Sequence, residues 1–424
     1  MANTYLTRTF GTPTNRKIWT WSAWVKRQNL VSNYANAMFG AYYDANNRSV
    51  IRFDTHELNF QDSANSVEIK TNRLFRDISA WYHIVARVDT TQGTASDRIR
   101  LYVNGEQQTS FRQADYPAQN DNMQFNGADP HYINGRNSSG SVDSIADMSY
   151  SHVHFCDGTA LAPTVFGETD ATTGEWKIKT DPSFTLGTNG FTILKDGNTI
   201  TDQSTNSNNF TVGGGTLTKT EDSPSNVFAT MNALQYSPNT TFSNGNNVVT
   251  QSVGGNGARR FTATLGASSG KYYWETKITG TVNGMTFGIV DGVEGDYNNY
   301  VGYKSKEVGY EKDGVIYKNA VAVTTGLTVV ALNDIVNHAL DLDNGYIYFG
   351  VNGTWQNSGV PTSGATGTGG FSITADTLYH PAVSAFANTG QISCNFGNGY
   401  FGTTAVSSAG TNASGNGIFE YDVP

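Results

Sequence analysis

Charge is scarce in this 424-residue chain: Asp, Glu, Lys and Arg together make up 15 % of it. No apolar run approaches the ~18 residues that a membrane-spanning helix needs. Basic clusters are missing too. The net charge is −9 with the two signs interspersed, which discounts a phosphate-binding face and nucleic acid as a partner. There are two cysteines, Cys156 and Cys394, far apart and flanked by apolar and aromatic residues. They form neither a CxxC pair nor a disulfide framework and read as buried free thiols. The start, "MANTYLTRTFGTPTNRK", has no apolar h-region. The expectation is folding in a cytosol, with any release independent of the Sec pathway.

Long Ala/Leu/Glu/Lys runs are also missing, whereas glycine is frequent at 46 residues and Asn, Thr and Ser abound. Turn formers and strand formers outweigh helix formers, which predicts an all-β chain with many loops. Hydrophobic residues make up 38 % and aromatics 12 %, enough for a sizeable interior. Single cores stop growing near ~250–300 residues, so two domains are expected.

The stretch "WTWSAWVKR" at 19–27 holds three of the seven tryptophans. In a strand, alternate side chains share a face. Trp19, Trp21, Ala23 and Val25 fall on one face and Thr20, Ser22, Trp24 and Lys26 on the other. Trp19 and Trp21 therefore read as core. Trp24, among polar neighbours, has two readings: packing beneath a second layer, or contact with a ligand on an exposed sheet face.

One device occurs twice, at 81–106 ("WYHIVARVDTTQGTASDRIRLYVNGE") and at 334–355 ("DIVNHALDLDNGYIYFGVNGTW"). Each is a strand, a turn, a second strand and then Val-Asn-Gly. Ile99, Leu101 and Val103 oppose Arg98, Arg100 and Tyr102, and Ile347, Phe349 and Val351 oppose Tyr346 and Tyr348. "DNG" at 343–345 predicts a tight hairpin, because Asn-Gly tolerates the positive φ of primed turns. "NG" at 104–105 and 352–353 predicts another turn in each copy. Two β-sandwiches explain the pattern.

Between them, about 177–244, apolar anchors such as Phe210, Val212, Leu217, Phe228, Met231 and Leu234 punctuate a polar run. A flexible linker lacks such anchors, so an ordered connector is expected. Its helical candidate is a turn at 223–233, with Asp222 or Ser223 as N-cap and Pro224 at the first helical position. The end, 406–424, reads as a Gly/Ser/Asn spacer closing on a short apolar strand.

Catalytic and metal patterns are weak. "GASSG" at 266–270 matches a nucleophile elbow at Ser268, but the strand-like "KYYWETKI" follows where the motif needs a helix. Alternating acids on one strand, as sandwich glycosidases require, are not found. Glu168 with Asp170, and Glu294 with Asp296, read as loop acids. His152 and His154 alternate around Val153 and are expected on one strand face, packed there. No cofactor is expected. Asp291, Glu294 and Asp296 form a weak candidate for structural Ca²⁺, without EF-hand spacing. The candidate binding residues lie in loops rich in Tyr, Asn and Trp, where a ring face stacks on a sugar and amides meet its hydroxyls. They are Tyr297, Asn298 and Asn299 in "EGDYNNYVGY", Trp355 in "NGTWQNSG", and Trp24.

"TWSAWVKR", "SAWYHIVARVD", "IRLYVNGE" and "FCDGTALAPTVFGE", in this order, resemble a concanavalin-A-like, laminin-G-type jelly roll over about residues 1–175. "SSGKYYWETKITG", "FGIVDG", "NDIVNHALDLDNGYIYFGVNG" and "LYHPAVSAFANTGQISCNFGNG" are similar to a SPRY-type sandwich over about 245–402. With the joining phrase "EDSPSNVFATMNAL", the arrangement resembles virion and tail-fibre structural proteins of tailed bacteriophages, notably those of marine bacteria. In that group "NGIFEYDVP" usually opens a further segment, whereas here Pro424 is the last residue.

The expected layout is all-β: a concanavalin-A-like jelly-roll sandwich at 1–176, a connector at 177–244, a SPRY-like sandwich at 245–405 and a tail at 406–424. The resemblance implies a non-enzymatic virion component assembled in the host cytoplasm, partnered by other virion proteins, further copies of itself and host-surface polysaccharide. A purely architectural decoration or adaptor is the alternative, and a polysaccharide depolymerase comes third. No membrane insertion is expected.

Overall fold

The computed structural model describes residues 4–30, 36–195, 197, 199–234, 240–251, 258–281, 284–292, 298–386 and 390–424. It is nearly all-β, and its contacts separate into two compact units. The first comprises Met1–Lys219 with Ser223–Ser225, and the second Thr220–Asp222 with Asn226–Pro424. Among the described residues, no helix is long and apolar enough to cross a membrane.

In unit one, a sheet of eight described strands faces one of six, with every pairing antiparallel. At the centre of the six-stranded sheet, Ile18–Arg27 lies between Met148–Asp157 and Trp81–Asp89. Its inward residues Trp19, Trp21, Ala23 and Val25 are buried in one apolar core with Phe39, Phe53 and Phe60 of the facing sheet. The expected parity therefore holds, because a strand between two partners has a fixed pleat.

In unit two, Lys271–Ile278 lies between Gly390–Asn395 and Ile335–Asp341 in one sheet, and Thr286–Asp291 between Tyr379–Phe386 and Val308–Glu311 in the other. Its core gathers Trp274, Phe287, Tyr310, Phe349 and Cys394. The two jelly-roll sandwiches thus stand as expected, and the described residues of the segment between them are mostly irregular. Residues 177–219 pack with unit one: Phe191–Ile193 pairs with Met148–Asp157, and Thr211–Gly214 with Tyr5–Thr9.

The turns divide by loop length. Asn104 and Gly105 have φ of 48° and 79°, and Asn352 and Gly353 have 50° and 78°. Each pair links residues in direct register, Val103 with Glu106 and Val351 with Thr354. These are the primed two-residue hairpins that Asn-Gly favours. "DNG" is different. Asp341 pairs with Tyr346, so four residues form the loop, and of them only Gly345 has positive φ. Asp341 takes over the turn, its carboxylate accepting the Asn344 backbone N–H at 3.0 Å and the side-chain amide at 2.8 Å.

The helix expected at 223–233 is not formed; a turn at 224–225 leads into extended chain. Asp222 accepts the backbone N–H of Phe228, six residues on, at 3.3 Å, which closes a loop instead of capping a helix. Met231 then bridges to Ala263 and is buried in the core of unit two, so tertiary pairing overrides the local cap signal. The one α-helical turn among the described residues is Ala95–Arg98, between the two strands of the first repeated device, so Arg98 leaves the strand face expected for it.

The end of the chain is not a loose spacer. Phe419 is buried and packs edge-on against Tyr273 with ring centroids 4.9 Å apart. The backbone N–H groups of Glu420 and Tyr421 donate to the buried Glu275 carboxylate, both at 2.9 Å. Ile418 makes a parallel bridge to Asn398.

Candidate ligand-binding site

The loop leading into Val308–Glu311 is held from beneath. Arg260, on Ala258–Thr262, forms a buried ion pair with Glu307. The second Glu307 oxygen accepts the backbone N–H of Gly302 at 3.2 Å and of Lys304 at 3.1 Å. Removing both charges from water is costly, and the two added donors offset part of that cost. Val301 is fully buried with Val290 and Ala382, a second anchor one residue away. Gly302 has a φ of 98°, and a Cβ there would come within 2.6 Å of the Tyr317 carbonyl oxygen, so only glycine fits the bend.

Three tyrosines are fixed above these anchors. Tyr300 stands edge-on to Tyr303, with centroids 5.6 Å apart, and to Tyr317 at 5.2 Å. Tyr303 is 42 % exposed, so the cluster opens to solvent. Burial, then the neighbouring Tyr317 and Tyr303, raises the Tyr300 phenol above its usual value, keeping it neutral at ordinary pH. Asn298, exposed, and Asn299, half-buried, immediately precede the cluster in the chain. The rim thus offers ring faces, phenolic hydroxyls and amides together, with Lys304 and the exposed Lys306 following on the same loop.

Of the expected site residues, Tyr297 lies outside the described residues, as do Glu294 and Asp296 of the Ca²⁺ candidate. Asp291 ends Thr286–Asp291. Among the described residues, no group of three or more His, Cys, Asp or Glu is placed to hold a metal ion. Trp355 sits half-buried on the short edge strand Thr354–Trp355, its ring over Gly350, in the other sheet of unit two. No ring contact joins it to the tyrosines among the described residues.

Trp24 does not face a ligand. It is 4 % exposed and stacks on His83 at 4.9 Å, and Trp176 covers His83 in turn, donating its indole N–H to Nδ1 at 3.0 Å. The layer above it comes from residues more than 130 positions along, which is why strand parity left two readings. His152 and His154 are separated by a bulge, His152 having φ of 49°, and each ring nitrogen meets a hydroxyl: Ser151 at 2.7 Å and Thr192 at 2.9 Å. Both rings are buried. Tyr317 and the Arg260–Glu307 anchor were not among the candidates. Tyr303 stood in the quoted motif, but Tyr317 comes from a different strand, Val315–Lys318, and only the fold brings it near.

Residues 2–148 match the family model described as the concanavalin A-like lectin/glucanases superfamily, of laminin-G type. Among solved structures, the chain is similar to the SPRY domain of human HERC1, at 20 % identity over 37 % of this chain and 91 % of that one, with a TM-score of 0.28. The TRIM65 PSpry domain is similar at 13 % identity, covering 39 % and 91 %, with a TM-score of 0.31. Stonustoxin is similar at 18 % identity over 39 % of this chain and 27 % of its own length, with a TM-score of 0.28. No curated protein matches the chain.

Proposed function

We propose that this chain is a non-enzymatic adhesion component of a bacteriophage virion, whose second sandwich contacts host-surface glycan through Tyr300, Tyr303, Tyr317, Asn298 and Asn299. The observation that carries this is the neutral tyrosine cluster on a rigidly anchored, solvent-facing rim. Aromatic edges and faces beside amides suit a pyranose, which has apolar C–H faces and a girdle of hydroxyls. Support for the virion setting is the order of sequence phrases across both sandwiches. A single site of this kind binds at a Kd near ~1 mM, about −4 kcal/mol, so adhesion draws on many copies. A glycan array probed with multivalently displayed chain tests the reading. Binding to host-derived polysaccharides supports it, and silence across all of them refutes it.

An architectural role is the second reading, and one observation favours it. The edge strand Val321–Thr324 exposes Val321 at 58 % and Val323 at 48 %. An unshielded apolar edge suits pairing with a neighbouring subunit. A cryo-EM map of the particle separates the two readings, by whether the tyrosine rim faces solvent or a neighbour.

A further inference from the structure

A pocket of about 440 Å³ opens on unit one, at the end of the hairpin formed by Arg48–Asp54 and Glu57–Asp62. Its walls carry three cations, Lys70, Arg76 and Arg112, against two carboxylates, Asp54 and Glu57. Asp54 and Glu57 are direct cross-strand partners. Both are already engaged: Lys70 bridges Asp54 and Glu68, and Arg112 lies 3.5 Å from Glu57. Arg76 is exposed, and among the described residues no carboxylate lies within ion-pair distance of it.

A further positive charge lies under the floor. Arg27 is fully buried, stacked over Phe53 at 4.8 Å. It donates to the carbonyl oxygens of Phe75 at 2.6 Å and of Thr55, a lining residue, at 2.9 Å. No described carboxylate neutralises it, and burial lowers its pKa to about 10, which still leaves it charged at neutral pH. His56, in the pocket wall, reports the resulting field. Its imidazole is held below the ordinary value by burial, then by Arg27 and Arg76, with a backbone hydrogen bond at Thr55 and then Glu57 opposing. It stays neutral at pH 7.

We propose that this pocket is a second binding site, for an acidic sugar of the uronic-acid class. The ring carboxylate meets the planar forks of Arg76 and Arg112, which match a carboxylate in shape and charge. Sugar hydroxyls donate to Asp54 and Glu57. The volume falls within the range of small-ligand pockets. The mixture of fixed acids with an excess of cations selects an anion that also carries hydroxyl donors, in preference to a bare anion or a neutral sugar. The site is independent of the tyrosine rim, and each stands or falls alone.

The test is calorimetric titration of the full chain with galacturonate, glucuronate, mannuronate and guluronate trisaccharides, each beside its methyl ester, and with sodium sulfate. At least one acid trisaccharide binds, its ester does not, and added salt weakens the binding. Arg76→Gln, at an exposed and unpaired position, lowers that affinity by about tenfold or more. The proposal is overturned if none of the acids binds, if an ester binds equally well, if Arg76→Gln has no effect, or if sulfate competes at the trisaccharide's own concentration.

Discussion

Each sandwich buries a Trp–His pair on adjacent strands of a central sheet, but on opposite faces. In unit one, Trp24 and His83 are cross-strand partners on the outer face, and the His83 Nε2 meets Ser22 at 2.9 Å. In unit two, Trp274 and His338 are cross-strand partners stacked at 4.7 Å within the main core, and the His338 Nε2 meets Thr276 at 3.0 Å. A hydroxyl two residues from the tryptophan fixes the ring in both. The outer face of each central strand is then covered by a later segment of the same unit. Unit one uses Trp176, bonded to His83; unit two uses the 418–421 segment, bonded to Glu275. A strand's outer face can therefore be sealed either by stacked rings or by a buried carboxylate gathering backbone donors.

The largest effects come from the stacked tryptophans. Trp24→Ala and Trp274→Ala each destabilise by ~3–5 kcal/mol, read by denaturant unfolding, because each leaves a cavity against a buried ring. An effect below 1 kcal/mol for Trp24 would mean that the outer layer is not packed as described. Next is Glu275→Ala, which strands the N–H groups of Glu420 and Tyr421. It costs ~3 kcal/mol and accelerates hydrogen exchange at 420–421 while leaving unit one unchanged.

A smaller loss follows from Trp176→Ala, ~1–3 kcal/mol, since the indole is only half-buried. Its sharper signature is electrostatic. Burial holds both His83 and His338 at about 3. Uncovering His83 raises its value toward the ordinary 6.5 and leaves His338 in place, a difference that NMR titration of the two imidazoles reads directly. In the wild type both rings act in the same sense. Their folded pKa values lie below the unfolded one, so below pH 6.5 the unfolded chain binds protons that the folded rings refuse. Their stabilising contribution is whole above pH 6.5 and declines as pH falls toward 3. The thermal midpoint at pH 4.5 therefore lies below that at pH 7, and equal midpoints would contradict the burial of these rings. The smallest stability change is that of Tyr303→Ala, within ~0.5 kcal/mol, because the ring is a rim residue.

Local features were legible in the sequence and sealed faces were not. Alternation alone placed Trp19 and Trp21 inside, because the pleat of a central strand admits no other register. Asn104–Gly105 and Asn352–Gly353 were legible as turns because their φ requirement is local. The "DNG" loop departed from the tight hairpin because the Asp341 side chain competes for the turn amides. The covers over His83 and Glu275 come from residues 93 and 145 positions away, a pairing that no local pattern encodes. The candidate site divides in the same way. Asn298, Asn299 and Tyr303 lay in one recognisable motif, whereas Tyr317 joins through strand pairing and Trp24 was withdrawn by its distant cover.

The most direct test of the proposed function is saturation-transfer NMR on the full chain with neutral oligosaccharides cut from a host-surface polysaccharide, comparing the wild type with a Tyr303→Ala, Tyr317→Ala double variant. The account predicts transfer to ring-face C–H protons in the wild type and its loss in the folded variant. Equal transfer in both proteins would contradict it.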